Sequence, residues 1–173
     1  MTRRTITLRA ATNEDLPWLV ALEQSPANAA FLCAWKPDRH AVALDDPDKS
    51  YFVFETVDGM PRGFAILAGM RSLVRAVELV RIAVDPPGQG LGAAALEALI
   101  AHVFGACGAE RLFLDVFADN GRARRAYLRH GFVEEEILPD AARRQDGALG
   151  TLVVMGMDAA AAKRRRATAA ASD

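Results

Sequence analysis

Between an apolar run, Val77–Val84, and a helical stripe of Leu96, Leu99, Ile100 and Val103 lies the turn Asp85-Pro86-Pro87-Gly88-Gln89-Gly90-Leu91-Gly92-Ala93-Ala94. The apolar run reads as a buried strand, and the spacing that follows is that of one helix face. A strand feeding a helix through a Gly-rich turn exposes consecutive backbone N–H groups at the positive end of that helix. Such a turn is suited to a phosphate or pyrophosphate. The unit also constrains the fold, because its strand belongs in a sheet that the helix then covers.

Two common nucleotide fingerprints do not fit. A phosphate loop of the ATPase type needs Lys followed by Ser or Thr after its second Gly, and here Gly92 precedes Ala93 and Ala94. A dinucleotide pattern begun at Gly88 ends on Ala93, mid-chain, in a sequence too short for a full doubly wound cofactor domain and a substrate domain. What remains is Gln89-x-x-Gly92-x-Ala94. Downstream, the strand Leu112-Phe113-Leu114-Asp115-Val116 leads into Asn120-x-x-Ala123-x-x-x-Tyr127-x-x-x-Gly131-Phe132. Asn120 suits a helix N-cap and Gly131 a helix terminator. The two blocks, in this order, resemble the acyl-CoA loop and the second signature of the GNAT N-acetyltransferase superfamily. The resemblance covers most of residues 5–157.

Period and punctuation set the layout. Strands are expected at Thr5–Arg9, Tyr51–Val57, Arg62–Met70, Val77–Val84, Arg111–Val116, Phe132–Ile137 and Thr151–Met157. Helices are expected at Asp15–Gln24, near Ala27–Trp35, at Leu91–Phe104 and at Asn120–His130. Asp58-Gly59 marks a hairpin turn, and Pro139–Gly150 reads as a polar connection. This order predicts one α/β domain over 1–157, a mixed sheet with helices on both faces. The resemblance sharpens it to a mostly antiparallel sheet of six to seven strands with a splayed parallel pair that holds acyl-CoA. Residues 158–173, with Ala runs around Lys163-Arg164-Arg165-Arg166, read as a low-complexity, disordered tail.

The resemblance also implies a site. Main-chain groups of Ile82, Ala83 and Val84 would bind pantetheine amides. The N–H groups of Gln89, Gly90, Leu91, Gly92, Ala93 and Ala94 would take the pyrophosphate, with Asn120 and Ala123 beside them. Family loops often carry Arg where Gln89 stands, so Arg122, Arg124 or Arg125 would help neutralise phosphate. Tyr127 falls where many relatives keep a general acid; a phenol is protonated at neutral pH and can give a proton to a departing thiolate. The candidate base is Glu78. Counting by two puts Glu78, Val80, Ile82 and Val84 on one face and Arg81 on the other. A carboxylate inside an apolar strand is costly unless it meets water or a partner; Arg71 and Arg75 are the rival ion-pair partners.

The implied activity is acetyl transfer from acetyl-CoA to a primary amine, small molecule or peptide N-terminus. The alternative is a non-catalytic acyl-CoA-binding or sensor module, and O-acylation would use the same cofactor site. Trp18, Glu23, Asn28, Phe31, Trp35, Asp38, His40, Asp140, Arg143, Arg144 and Asp146 are expected to wall the acceptor side. A net charge of −1 over 173 residues gives no case for nucleic acid or for an anionic membrane. Cys33 and Cys107 form no disulfide framework or metal spacing, and His40, His102 and His130 show none either, so no metal is expected. No run reaches a membrane span, and a cytoplasmic monomer or homodimer is the expectation.

Overall fold

The computed structural model describes residues 5–87 and 89–170; Gly88 of the turn and 171–173 of the tail lie outside the described residues. Seven strands form one sheet: β1 (Ile6–Ala10), β2 (Lys49–Thr56), β3 (Pro61–Ala68), β4 (Ala76–Val84), β5 (Arg111–Phe117), β6 (Val133–Arg143) and β7 (Leu149–Asp158). Their spatial order is β1-β2-β3-β4-β5-β7-β6. Neighbours are antiparallel except β4 and β5, which pair in parallel over Ala76–Glu78 against Arg111–Phe113 and then part. Among the described residues six α-helices accompany them: α1 (Leu16–Glu23), α2 (Pro26–Ala29), α3 (Pro37–Leu44), α4 (Leu91–Gly105), α5 (Gly121–Arg129) and α6 (Ala159–Ala170).

Two cores form because alternate residues of one strand face opposite ways. On β3, Ala65 and Leu67 join the cluster under α4, with Leu96, Leu99, Ile100, Val103, Leu112, Leu114 and Tyr127. Phe64 and Ile66 join the other cluster, under α1 and α3, with Leu19, Leu22, Trp35, Ala43 and Tyr51. Helices therefore cover both faces, as the sequence predicts.

Four expectations need correction. First, β4 carries an extra residue: Ile66 pairs with Arg81 but Leu67 with Leu79, so the register shifts at Val80. A bulge of this kind puts consecutive residues on one face. Ile82 and Val84 therefore pack into the α4 cluster, whereas Val80 and Ala83 pack into the α1–α3 cluster. The count by two fails beyond Val80, and Arg81 joins the face of Glu78. Second, the helix expected near Ala27–Trp35 is the short α2, and α3 follows it; Pro37 opens α3 at a position where no N–H is needed. Third, β6 continues through Pro139 to Arg143. As an edge strand it tolerates a missing donor, with an irregularity between Leu138 and Ala142. Fourth, Ala159–Ala170 is helical. Alanine has the highest helix propensity, Asp158 Oδ1 accepts the Ala161 N–H at 2.6 Å, and Ala162 is buried in the α4 core.

Candidate active site

The strand divergence is the origin of the site. Beyond Glu78 and Phe113, β4 and β5 no longer bond, and a cavity of about 410 Å³ occupies the gap. Leu79 to Val84 line one side of it, and Asp115, Val116 and Phe117 the other. The N-terminus of α4 closes one end. Gly90 caps that helix in the left-handed region at φ 78°, and a side chain added there would meet nothing within 4 Å. The first N–H groups of a helix have no partner within it, so the positive end of this 15-residue helix, with Gly92 and Ala93 on the cavity, is suited to an anion.

Of the residues read from sequence, Ile82, Ala83, Val84, Gly90, Gly92, Ala93, Asn120, Ala123 and Tyr127 line this cavity. Gln89, Leu91, Ala94 and Glu78 do not. The Leu91 side chain is core, and the Ala94 N–H donates to Gly90 O at 3.1 Å. Asn120 accepts the Ala123 N–H at 3.2 Å and so starts α5 beside the gap. Arg122 lines the cavity, but Arg124 is committed to Glu134 and the Ala118 carbonyl, at 2.7 Å each. These features fit a pantetheine-and-pyrophosphate ligand: a narrow slot with an unbonded strand edge, leading from a helix N-terminus whose lining residues are small.

Tyr127 is buried against Phe132, with ring centroids 5.6 Å apart. Burial pushes its phenol up to about 12, so it is a proton donor at any physiological pH. Glu78 is half-buried; burial first, and then the Asp115 charge, raise its carboxyl above the usual range. Neither rival cation reaches it: Arg75 pairs with Glu110 at 3.2 Å, and no ion pair joins Glu78 among the described residues. Asp115, which the sequence reading passed over, lines the cavity, and desolvation raises its carboxyl too. The signal for it lay in the strand LFLDV, where a lone acid interrupts apolar residues two before Phe117.

The acceptor-side candidates separate into structure and lining. Glu23 is fully buried. Its Oε1 meets Arg81 at 2.5 Å as an ion pair without hydrogen-bond alignment, and Oε2 accepts the Trp35 N–H at 3.0 Å and lies 3.1 Å from His40 Nε2. Arg81 in turn donates to the Cys33 carbonyl at 2.6 Å and stacks on Trp35. This network fixes the segment between α1 and α3 to β4. Asn28 and Phe31 line the cavity; Trp18, Trp35, Asp38 and His40 do not. Arg144 lies 4.0 Å from the Phe117 ring and bonds Asp119 at 2.8 Å, Arg143 donates to the Gly147 carbonyl, and Asp146 accepts the Ala148 N–H. Asp140, at φ 51°, sits in the irregular part of β6. Among the described residues no His, Cys, Asp and Glu side chains gather as a metal-ligand set, and no helix is long and apolar enough to cross a membrane.

Comparison with known proteins bears on the same geometry. A spermidine N-acetyltransferase from Vibrio cholerae, solved in complex with CoA and spermine, superposes with a TM-score of 0.81 at 20% identity, over 91% of this chain and 98% of that one. The manganese-bound spermidine/spermine enzyme from the same organism gives 0.77 at 21% identity, over 93% and 96%. At these identities the likeness is one of fold. The acetyltransferase (GNAT) family model matches residues 10–132, from the end of β1 to the residue after Gly131, and takes in both sequence blocks and the splayed strands. With that match the chain belongs to the acetyltransferase (GNAT) family, whose members transfer an acetyl group from acetyl-CoA.

Proposed function

We propose that this chain acetylates a small primary amine, with Tyr127 as the acid and Asp115 as the group that receives the amine's proton. One observation carries the reading. Tyr127 belongs to the α4-side core, whereas Asp115 alternates with Leu114 and Val116 of that core and so faces the opposite side of the sheet. Both line one cavity. Acid and base therefore stand on opposite walls of the gap, as direct transfer requires.

Acetyl-CoA, when bound, supplies the thioester acetyl group and leaves as the free thiol. The unbonded edge of β4 from Ile82 to Val84 would hold the pantetheine arm. The N-terminal N–H groups of α4, with Arg122 at the rim, would hold the pyrophosphate. Tyr127 Oη keeps its proton to high pH and gives it to the departing sulfur. Asp115, with Glu78 behind it, takes the proton that the ammonium must lose before its nitrogen can attack. Nitrogen loses two protons on the way from ammonium to amide. Asp115 takes the first before attack and passes it to solvent. The second leaves the attacking nitrogen as the tetrahedral adduct collapses and, through solvent, replaces the one that Tyr127 gives to sulfur.

The direct test follows release of free thiol from acetyl-CoA against a panel of amines. Amine-dependent release is the expected result. Tyr127→Phe should lower kcat by roughly 10–100-fold, with acetyl-CoA affinity little changed, because only the hydroxyl is removed. Tight acetyl-CoA binding with no amine-stimulated release would instead identify a binding module. Unaltered turnover in Tyr127→Phe would take the acid role from Tyr127.

A further inference from the structure

The acceptor half of the cavity has a marked chemical character. On the side of the α2–α3 connection the walls are Phe31 and Leu32, Phe117 from β5, Leu152 from β7 and Ala142 from β6, with Asn28, Cys33 and Arg81 as the polar residues among them. Asp115 is the carboxylate that lines it. Of the other acids nearby, Glu23 is committed to Arg81 and His40 and Asp119 to Arg144, while Glu78 is unpaired among the described residues but lies behind Asp115 and off the cavity. Arg144 also covers the Phe117 ring, so one face of that ring meets a cation rather than an acid. The Cys33 thiol donates to the Arg143 carbonyl at 2.9 Å and ties the connection to the end of β6, which holds this wall in place.

We infer that the acceptor is a monoamine: one primary amino group carried on an apolar, aromatic or branched aliphatic body. The inference rests on the acetyltransferase reading above and goes further, to the substrate class. One ammonium finds one carboxylate at the reacting end, and the body behind it buries apolar surface on Phe31, Leu32, Phe117 and Leu152. A polyamine would carry its further ammonium groups into this apolar wall. Among the described residues that line the cavity they find no carboxylate besides Asp115, and a buried unpaired cation is strongly disfavoured. An extended peptide would lay unpaired backbone N–H and C=O groups along the same apolar wall, which is costly for the same reason. This acceptor class differs from the spermidine and spermine of the solved neighbours.

Steady-state thiol release with saturating acetyl-CoA tests the class, using 2-phenylethylamine and 3-methylbutylamine against spermidine, putrescine and an Ala-led tripeptide. The kcat/KM for the apolar monoamines should exceed that for spermidine by at least about tenfold, the discrimination an apolar pocket can supply. Phe31→Asp adds an acid to the wall from a partly exposed connection. It should narrow or reverse that ratio while calorimetric acetyl-CoA affinity is kept, and Phe31→Leu should preserve the ratio. Spermidine or the peptide matching the monoamines, or a ratio indifferent to Phe31→Asp, would overturn the monoamine class and leave the acetyltransferase standing. Bound acetyl-CoA with no release for any amine would remove the acetyltransferase reading itself, and the class with it.

Discussion

Glu78 and Asp115 are both carboxylates on the same sheet face at the point where β4 and β5 part, yet only Asp115 opens on the cavity. Position therefore separates their roles. Asp115→Asn should lower kcat/KM for a good acceptor by roughly a hundredfold, within the range for losing a general base, and Glu78→Gln by much less. The pH dependence follows from the sign of the shift. Desolvation raises Asp115, so it stays protonated, and idle as a base, up to a higher pH than an ordinary Asp. The rising limb of kcat against pH should lie correspondingly high in the wild type and vanish in Asp115→Asn, measured with an amine of low pKa so that its own titration does not intrude. A larger loss in Glu78→Gln would reverse the assignment. At this scale the places of Tyr127, Asn120, Gly90, Gly92 and Ala93 on the cavity were legible because each is fixed by a local pattern. For Asp115 the sequence offers only a lone acid in an apolar strand, since its place on the cavity depends on where β5 diverges from β4.

Elements are held to one another by a few polar ties, and these set the response to acid. Arg9 on β1 bonds Glu55 on β2 at 2.7 Å and Asp15, in the turn before α1, at 2.8 Å. The guanidinium holds the Asp15 carboxyl down at about 2. A depressed carboxyl stabilises the fold above its unfolded pKa, and that stability is lost as pH falls toward the folded value. With Arg9 partly exposed, Asp15→Asn should cost about 1–2 kcal/mol at pH 7 by urea unfolding, and the deficit should close near pH 2. A deficit that persists unchanged at pH 2 would point to lost turn geometry instead. Elements with strong periodicity, such as α4 and β2, were readable within a residue or two. The α3 helix was hidden because its eight residues bury only His40 and Ala43, and that histidine is accommodated by Glu23, a partner seventeen positions away. Neither the bulge at Val80 nor the docking of α6 leaves a local signature, for each is decided by the strand or core it meets.

Across the whole molecule, seven strands are joined in one sheet that carries a rift in its middle, and most of its stability rests on the two cores flanking that rift. The fold class was legible from order alone, because strand, loop and helix alternate in a way few topologies allow. The rift itself was implied by resemblance and not by any residue pattern. Gly63, where an added side chain would collide with the Ala83 carbonyl, shows how closely β3 packs against β4 along the edge away from the rift. The opposite, open edge of β4 has a measurable consequence. Amide protons of Leu79–Val84 and Leu114–Phe117 that point into the rift have no strand opposite them, and in the free protein they should trade for deuterium faster than their neighbours that face β3 and β7. A ligand arm laid along the rift acts as a missing strand, so acetyl-CoA should slow exchange in these two peptides while leaving β1 and β2 unchanged. Uniform slowing across the sheet would mean that the cofactor tightens the molecule as a whole and does not mend a seam.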